Sequence, residues 1–585
     1  MKDLRNPALA AGLILAALLA GSGYARVLHG EFQFDDAPEL VENPALRDLG
    51  SFARCGAWAV GAGRALTHFT FAVQYQVAKL DPLPYHAVNV ALHLATALLL
   101  YLLGRRTLEA IGWPRPRAVA LAAAGLFALH PIQTETVSYI AQRAEGLAAL
   151  LTVSAILLLR GAEMRGRTLP GALLLLGGAA AFLLGLEAKP TAAVVPLLFI
   201  LHAEIFPPSG AASRTLRARR LAIAIPLAMV STWAGLAAVG SVAGSRTAGF
   251  DMPSVGARAH LLTQVRVLFR YLALIAWPAG QNVDTDVRWS SSLADPAALV
   301  AIGALAAVLA AAVAAIRGSS REGASHVALA GRVAAFGLLW LIVALLPTFA
   351  VPLLDPMAEH RIYLGSWGVF LAAAVAADFA LRRIAPSPAV SAGVALAAWA
   401  ALAVALHARN AVWETNVALW TDAAAKSPAK ARPHAALGIA LAERGRRSEA
   451  IAEMQAALRA GGPTLVEAPI LNNLAIELLD AGRLDEARAE AERAIAADPS
   501  RGDAYNTLGE VLRTAGDLRA AAEQFSRAAK LLPVNPAPRF NLALTLERLG
   551  RREDACAAWA RYADLEWNAA DAASSRAHAR ELGCR

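Results

Sequence analysis

Charge is what this 585-residue chain has least of: Asp, Glu, Lys and Arg together make up 17% of it, against roughly a quarter in an average soluble domain. The shortage excludes an intrinsically disordered chain, which needs high charge and few apolar side chains. It also tells against a single soluble enzyme. Cysteine is scarcer still. Cys55, Cys556 and Cys584 show no CxxC spacing and no histidine at zinc-ligand spacing, so no structural metal is indicated. A Cys556–Cys584 disulfide stays open as an expectation for a tail in an oxidising space. The net charge of +9 raises nucleic acid as a partner, but the arginines of the first 400 residues sit in short loops between apolar runs. That placement serves membrane orientation, and no nucleic-acid partner is expected.

What fills the chain instead is apolar: 57% of residues. Runs of about 20 residues recur, each long enough to cross a bilayer as a helix. The first, from Ala8 to about Leu28, is long and lacks a clear small-x-small cleavage site, so it reads as an uncleaved helix. Further spans are expected near 86–103, 117–130, 137–159, 170–186, 190–206, 219–243, 297–316, 332–353, 363–381 and 389–407, about eleven in all. The Val265–Pro278 stretch is short and holds Arg266 and Arg270, and is expected to be interfacial or re-entrant.

Arginine clusters set the orientation. Lys2 and Arg5, then the groups around Arg105, Arg165, Arg217, Arg317 and Arg382, fall in every second loop and belong on the cytoplasmic side. The other face then receives about 29–85, 130–143, 187–189, 244–296, 355–363 and everything after 408. Most of the remaining ionisable residues gather there, which points to chemistry at one membrane face rather than to transport through the middle.

Beyond His407 the composition changes and a repeat begins. Gly445, Gly482, Gly516 and Gly550 are spaced by 37, 34 and 34 residues, and Pro499 and Pro533 by 34. Leu474-Ala475 and Leu508-Gly509 recur at the same offsets, with Ala487 and Ala494, then Ala522 and Ala528, behind them. A 34-residue period of this kind is that of tetratricopeptide repeats (TPR), helix pairs stacked into a solenoid. The expected architecture is all-α: a polytopic membrane helix bundle over 1–407, a linker or first helix over 408–430, about four repeats over 431–567, and a tail over 568–585.

Four short segments could carry chemistry. Asp35 and Asp36 follow Glu31-Phe32-Gln33-Phe34 just past the first helix; adjacent carboxylates at a membrane surface suit a general base or a divalent-cation ligand, or simply a solvated turn. His130, Glu135, Arg143 and Glu145 surround the entry of a later span, where charge is costly unless paired or wet; His130 alone also fits a helix cap. Lys189, in Glu187-Ala188-Lys189-Pro190, suits a phosphate ligand or a snorkelling side chain. Arg361, in Glu359-His360-Arg361-Ile362-Tyr363, has the planar fork that takes phosphate oxygens in pairs.

Taken together, these segments resemble the membrane glycosyltransferases of the GT-C type, in particular their TPR-bearing O-mannosyltransferase-like branch. The likeness rests on Phe-x-Phe-Asp35-Asp36 with Asn43-Pro44, His86-x-x-Asn89-x-x-x-His93, Leu129-His130-Pro131-x-x-x-Glu135-x-Val137, Arg143-x-Glu145, Glu187-x-Lys189, Glu359-x-Arg361-x-Tyr363 and the C-terminal repeats. The resemblance implies inverting transfer of a sugar, mannose or another hexose, from a polyprenyl-phosphate-linked donor to a Ser/Thr hydroxyl of an acceptor protein. By the same analogy Asp35 or Asp36 is the base and a ligand for a divalent cation (Mg or Mn), with no other cofactor, and Glu135 assists. Arg143, Lys189 and Arg361 hold the departing phosphate, and His130 lines the donor site. The repeats would take an acceptor peptide in their groove, or serve as a scaffold. The Ala/Arg-rich bias suggests a bacterial inner membrane with the N-terminus cytoplasmic and the repeats periplasmic. The competing reading is a non-enzymatic membrane-anchored TPR scaffold; a transporter ranks behind both.

Overall fold

Several helix starts in the first part of the chain carry a capping side chain, in two cases with proline directly behind it. Asp81 accepts from the Leu83 amide (3.1 Å) ahead of Pro82, and Asp295 from the Ala297 amide (3.0 Å) ahead of Pro296. Thr168 and Ser325 cap two more helices through the Gly171 and Ala328 amides. Each cap satisfies an amide that has no partner within its own helix.

The computed structural model describes residues 7–50, 52–53, 64–207, 214–243, 256–319, 324–385, 387–461, 464–566 and 569–584. Lys2, Arg5, Cys55 and Arg321 lie outside them. Among the described residues there is no β-strand, and the chain divides into two compact units, Met1–Leu419 and Trp420–Arg585.

The first unit contains α1 (Pro7–Tyr24), α2 (Ala65–Ala78), α3 (Pro82–Ala110), α4 (Pro116–Leu129), α5 (Arg143–Arg165), α6 (Leu169–Ala188) and α7 (Val195–Ile205). It continues with α8 (Arg214–Ala243), α9 (Ala257–Ala276), α10 (Pro296–Gly318), α11 (His326–Ala350), α12 (Tyr363–Ile384) and α13 (Pro388–Asn410). Ten helices among the described residues are long and apolar enough to cross a membrane. The protein is an integral membrane protein.

The list of spans differs from the sequence expectation in three places. The segment expected to be interfacial or re-entrant is the second half of α9, a continuous apolar helix of 20 residues. Its two arginines hid it from a hydropathy reading, yet Arg266 is engaged at its flank, donating to Ser290 Oγ at 2.7 Å. Conversely, the segments expected at 117–130 and 190–206 are short apolar helices, Pro116–Leu129 and Pro190–Ile205, bounded or broken by Pro131, Pro190 and Pro196.

Small residues let helices close up. A Cβ at Gly337 of α11 would lie 2.2 Å from the Gly368 carbonyl oxygen of α12, and one at Gly368 would lie 2.6 Å from that of Gly337. Beside this contact the Trp340 and Trp367 rings meet edge to face with centroids 5.0 Å apart. Such small-residue crossings carry helix association where lipid tails compete for apolar surface.

The second unit holds four antiparallel helix pairs: Ala431–Glu443 with Arg447–Ala460, Thr464–Asp480 with Leu484–Ala497, Gly502–Thr514 with Leu518–Leu531, and Ala537–Arg548 with Arg552–Leu565. The recurring glycines turn each pair at φ of +71, +75, +91 and +71, a region that costs other residues energy. Gly509 leaves room for the Phe525 ring, which would come within 2.6 Å of a Cβ there. The segment expected as a tail forms the helix Ala569–Glu581, and Cys584 beyond it is bonded to Cys556 with Cα atoms 5.4 Å apart.

Gly337→Ala is expected to cost about 1–3 kcal/mol by overpacking the α11–α12 crossing, read as unfolding in detergent. Gly303→Ala, where a Cβ meets nothing within 4 Å, should be neutral.

Candidate active site

The Phe-x-Phe-Asp-Asp loop folds back on itself. Asp36 is buried, and its two oxygens are spoken for: Oδ2 accepts from the Gln33 amide at 2.9 Å and Oδ1 from the Ala141 amide at 2.6 Å. The first of these bonds closes a tight turn; the second pins that turn to the segment before α5. Phe34, between Gln33 and Asp35, sits at φ +49, a strained setting for a non-glycine residue of the kind that persists at functional sites. Asp35 is only half-buried, and its amide donates to the Tyr139 hydroxyl at 2.7 Å. The Tyr139 ring in turn stacks on Trp413. Burial pushes the Asp36 carboxyl up to about 7, against the pull of the Gln33 and Ala141 amides.

One turn on from Asp35 stands Glu39, the first residue here that sequence reasoning missed. Its oxygens meet Arg64 Nη1 and His68 Nε2, each at 2.8 Å. Although burial raises its carboxyl, the His68 bond and the charges of Arg64 and Lys189 hold it below the usual glutamate range. Lys189 follows α6 directly. Its Nζ lies 2.8 Å from Glu145 Oε2 on the first turn of α5 and donates to Gln142 Oε1 at 3.3 Å. Burial lowers the Lys189 pKa; Glu145 opposes this, while Arg64 and Arg361 add to it.

Arg361 is half-buried, and its Nη1 donates to the Asp355 carbonyl at 2.8 Å. Arg361 and Glu145 line one small cleft together with Thr152, Thr191, Ala344 and Leu364. The Thr152 and Thr191 hydroxyls are buried there with no hydrogen-bond partner, unusual for polar groups and open to a bound oxygen.

The structure gives the other expected residues holding roles. Glu135 is buried and caps the α12 entry: Oε2 accepts from the Glu359 and His360 amides at 2.7 and 3.2 Å, and Oε1 lies 2.6 Å from His360 Nδ1. Burial lifts its carboxyl to about 7. Glu359 is itself tied to the Asn282 amide (2.7 Å) and Gln281 Nε2 (2.8 Å). Arg143 is not exposed to a ligand as expected: it is buried, donating to Asn89 Oδ1 (2.9 Å), Thr70 Oγ1 (3.3 Å) and the Tyr85 carbonyl (3.0 Å), with its guanidinium over Phe71. His130 is likewise buried. Its Nε2 meets the Ile275 carbonyl at 3.0 Å and its Nδ1 accepts from the Ile132 amide at 3.1 Å, so it is a cap after α4.

For a divalent cation the residues fit poorly. Among the described residues no three His, Cys, Asp or Glu side chains cluster closely enough to hold one, and Asp36 has both oxygens on backbone amides.

A tetratricopeptide-repeat family model matches residues 472–536 and 506–575. Over 159 residues, 24% of this chain and 17% of the relative, the chain is 36% identical to protein O-mannosyl-transferase TMTC1 of Homo sapiens. The chain resembles the TPR-bearing transmembrane O-mannosyl-transferases. Over 157 residues, 25% of this chain and 22% of the relative, it is 31% identical to protein O-mannosyl-transferase F38B6.6 of Caenorhabditis elegans. It thus spans less than a quarter of the length of these two relatives. Among solved structures, YrrB, a TPR protein with an unusual peptide-binding site, aligns with 27% of this chain and 81% of its own at 20% identity and a TM-score of 0.24.

Asp36→Ala is expected to lower stability by about 1–3 kcal/mol at pH 5, because two buried amides lose their acceptor. Asp35→Asn should change it by less than about 0.5 kcal/mol. With its folded-state carboxyl lifted above the unfolded value of about 3.9, Asp36 keeps its proton longer when folded. Its stabilisation is full below about pH 4 and is lost as the pH climbs toward 7. Denaturant unfolding across that range should show this loss in the wild type and a flatter profile in Asp36→Ala.

Proposed function

We propose that the protein transfers a sugar, mannose or another hexose, from a polyprenyl-phosphate-linked donor to a Ser/Thr hydroxyl of a protein, with inversion, at the non-cytoplasmic face of the membrane. The observation that carries this reading is the cationic lining of one small cleft, where Arg361 and Glu145 meet and Glu145 is paired with Lys189; the base is assigned to Asp35, half-buried on the loop after α1 and held by its amide to Tyr139. In the reaction the Asp35 carboxylate takes the hydroxyl proton as the acceptor oxygen bonds to the anomeric carbon. The bond from that carbon to the phosphate oxygen breaks, and its electron pair stays on the phosphate. The leaving polyprenyl phosphate gains negative charge, which in this reading Lys189 and Arg361 neutralise. Asp36, Glu135 and Arg143 hold the loops that carry these groups, and no step runs through a metal.

One observation supports the placement of the repeats. The Cys556–Cys584 bond in the repeat unit belongs to an oxidising compartment, a periplasm in a bacterial inner membrane. The repeats are then a platform for acceptor protein.

With purified full-length protein, polyprenyl-phosphate mannose and periplasmic acceptor proteins, Asp35→Asn should cut transfer by about a hundredfold or more while donor binding persists. Lys189→Met and Arg361→Met should each raise the donor KM by about tenfold. Wild-type rates in Asp35→Asn would rule out the assignment of the base. Transfer by no donor would favour the scaffold reading.

A further inference from the structure

At the far end of α5 from Glu145 lies a second cavity that the proposed reaction does not use. Gly161 is sixteen residues further along α5, about 24 Å at 1.5 Å per residue. Here α3, α5, α6 and α7 enclose a groove of about 380 Å³, walled by apolar side chains such as Leu103, Leu157, Leu174 and Phe206. Its polar lining is all cationic or imidazole: Arg106, Arg160, Arg165 and His202.

These four are not equivalent. Arg160 is committed, with Nη2 donating to the Phe206 carbonyl at 2.8 Å and Nη1 on Glu163. Glu163 is sealed beneath, also bound by Arg220 Nε at 2.9 Å. Arg106 and Arg165 are exposed at the rim, and neither side chain makes a hydrogen bond or ion pair among the described residues. His202 is 4% exposed; Nε2 meets Thr107 Oγ1 at 2.9 Å, while Nδ1 is buried without a partner. An apolar groove thus ends in two unneutralised guanidiniums and an orphaned imidazole nitrogen. A lone salt or a peptide carboxylate would account for the charge and leave the apolar wall unexplained.

We propose that this groove is a specific site for an anionic glycerophospholipid, its phosphodiester between Arg106 and Arg165 and one acyl chain along the leucine wall. A lipid phosphate stands at the boundary between hydrocarbon and water, where arginines at helix ends stand too, and basic pockets between membrane helices are suited to such headgroups. A guanidinium fork matches two phosphate oxygens at once. The site is independent of the sugar-transfer reading, because it lies at the other end of the bundle and shares no residue with the cleft of Glu145 and Arg361.

The test is native mass spectrometry on delipidated full-length protein in neutral detergent, titrated with phosphatidylglycerol or phosphatidylcholine. The wild type should hold phosphatidylglycerol at least tenfold more tightly than phosphatidylcholine. Arg106→Gln/Arg165→Gln should lose that preference, while Arg317→Gln, an exposed cation at the end of α10, should keep it. All three should unfold at the same temperature without lipid, since the substituted side chains have no partners to lose. Equal binding of the two lipids by the wild type, or full preference in the double variant, would overturn the proposal. So would displacement of phosphatidylglycerol by polyprenyl phosphate at equal concentration, or by millimolar inorganic phosphate.

Discussion

Much of this membrane unit depends on a buried carboxylate finding backbone amides to replace water. Asp36 does so through Gln33 and Ala141, and that pair of bonds determines what its neighbour can do. Two adjacent aspartates begin as chemically equal groups. Once one is drawn inward to hold the loop against the entry of α5, the other remains half-buried at the rim. Glu135 solves the same problem at the entry of α12 through the Glu359 and His360 amides. Both carboxylates fasten short polar loops to the ends of apolar helices, where an unsatisfied amide would be expensive.

The cations divide the same way. Arg143 is buried but spends all three of its nitrogens on protein acceptors and rests on Phe71, so it serves as a strut between α2, α3 and α5. Arg361 lines a cleft whose threonine hydroxyls are unmet, and Lys189 is paired with Glu145 of that same cleft. The difference between strut and candidate ligand is therefore one of hydrogen-bond bookkeeping and not of residue type.

This explains how far the sequence could be read. The repeats were legible because their turn glycines sit at positive φ and recur at a fixed period. Long apolar helices were legible from composition alone, except where Arg266 and Arg270 broke the run of α9. The division of labour between Asp35 and Asp36 was not legible, since the deciding partner, Ala141, is 105 residues away and contributes only its backbone. Glu39 was missed because its partners, Arg64 and His68, are 25 and 29 residues downstream and form no local motif. His130 and Arg143 look reactive in a sequence, and only their neighbours show them to be satisfied.

The proposed transfer depends on a lipid-linked phosphate being held between Lys189 and Arg361. The most direct measurement is photo-crosslinking with a polyprenyl-phosphate analogue that carries a diazirine beside the phosphate, followed by peptide mapping of the full-length protein. Labelling is expected in the peptides around Lys189–Thr191 and Arg361–Leu364, reduced by unlabelled polyprenyl-phosphate mannose. Competed labelling confined to other segments, with those peptides unmarked, would contradict it.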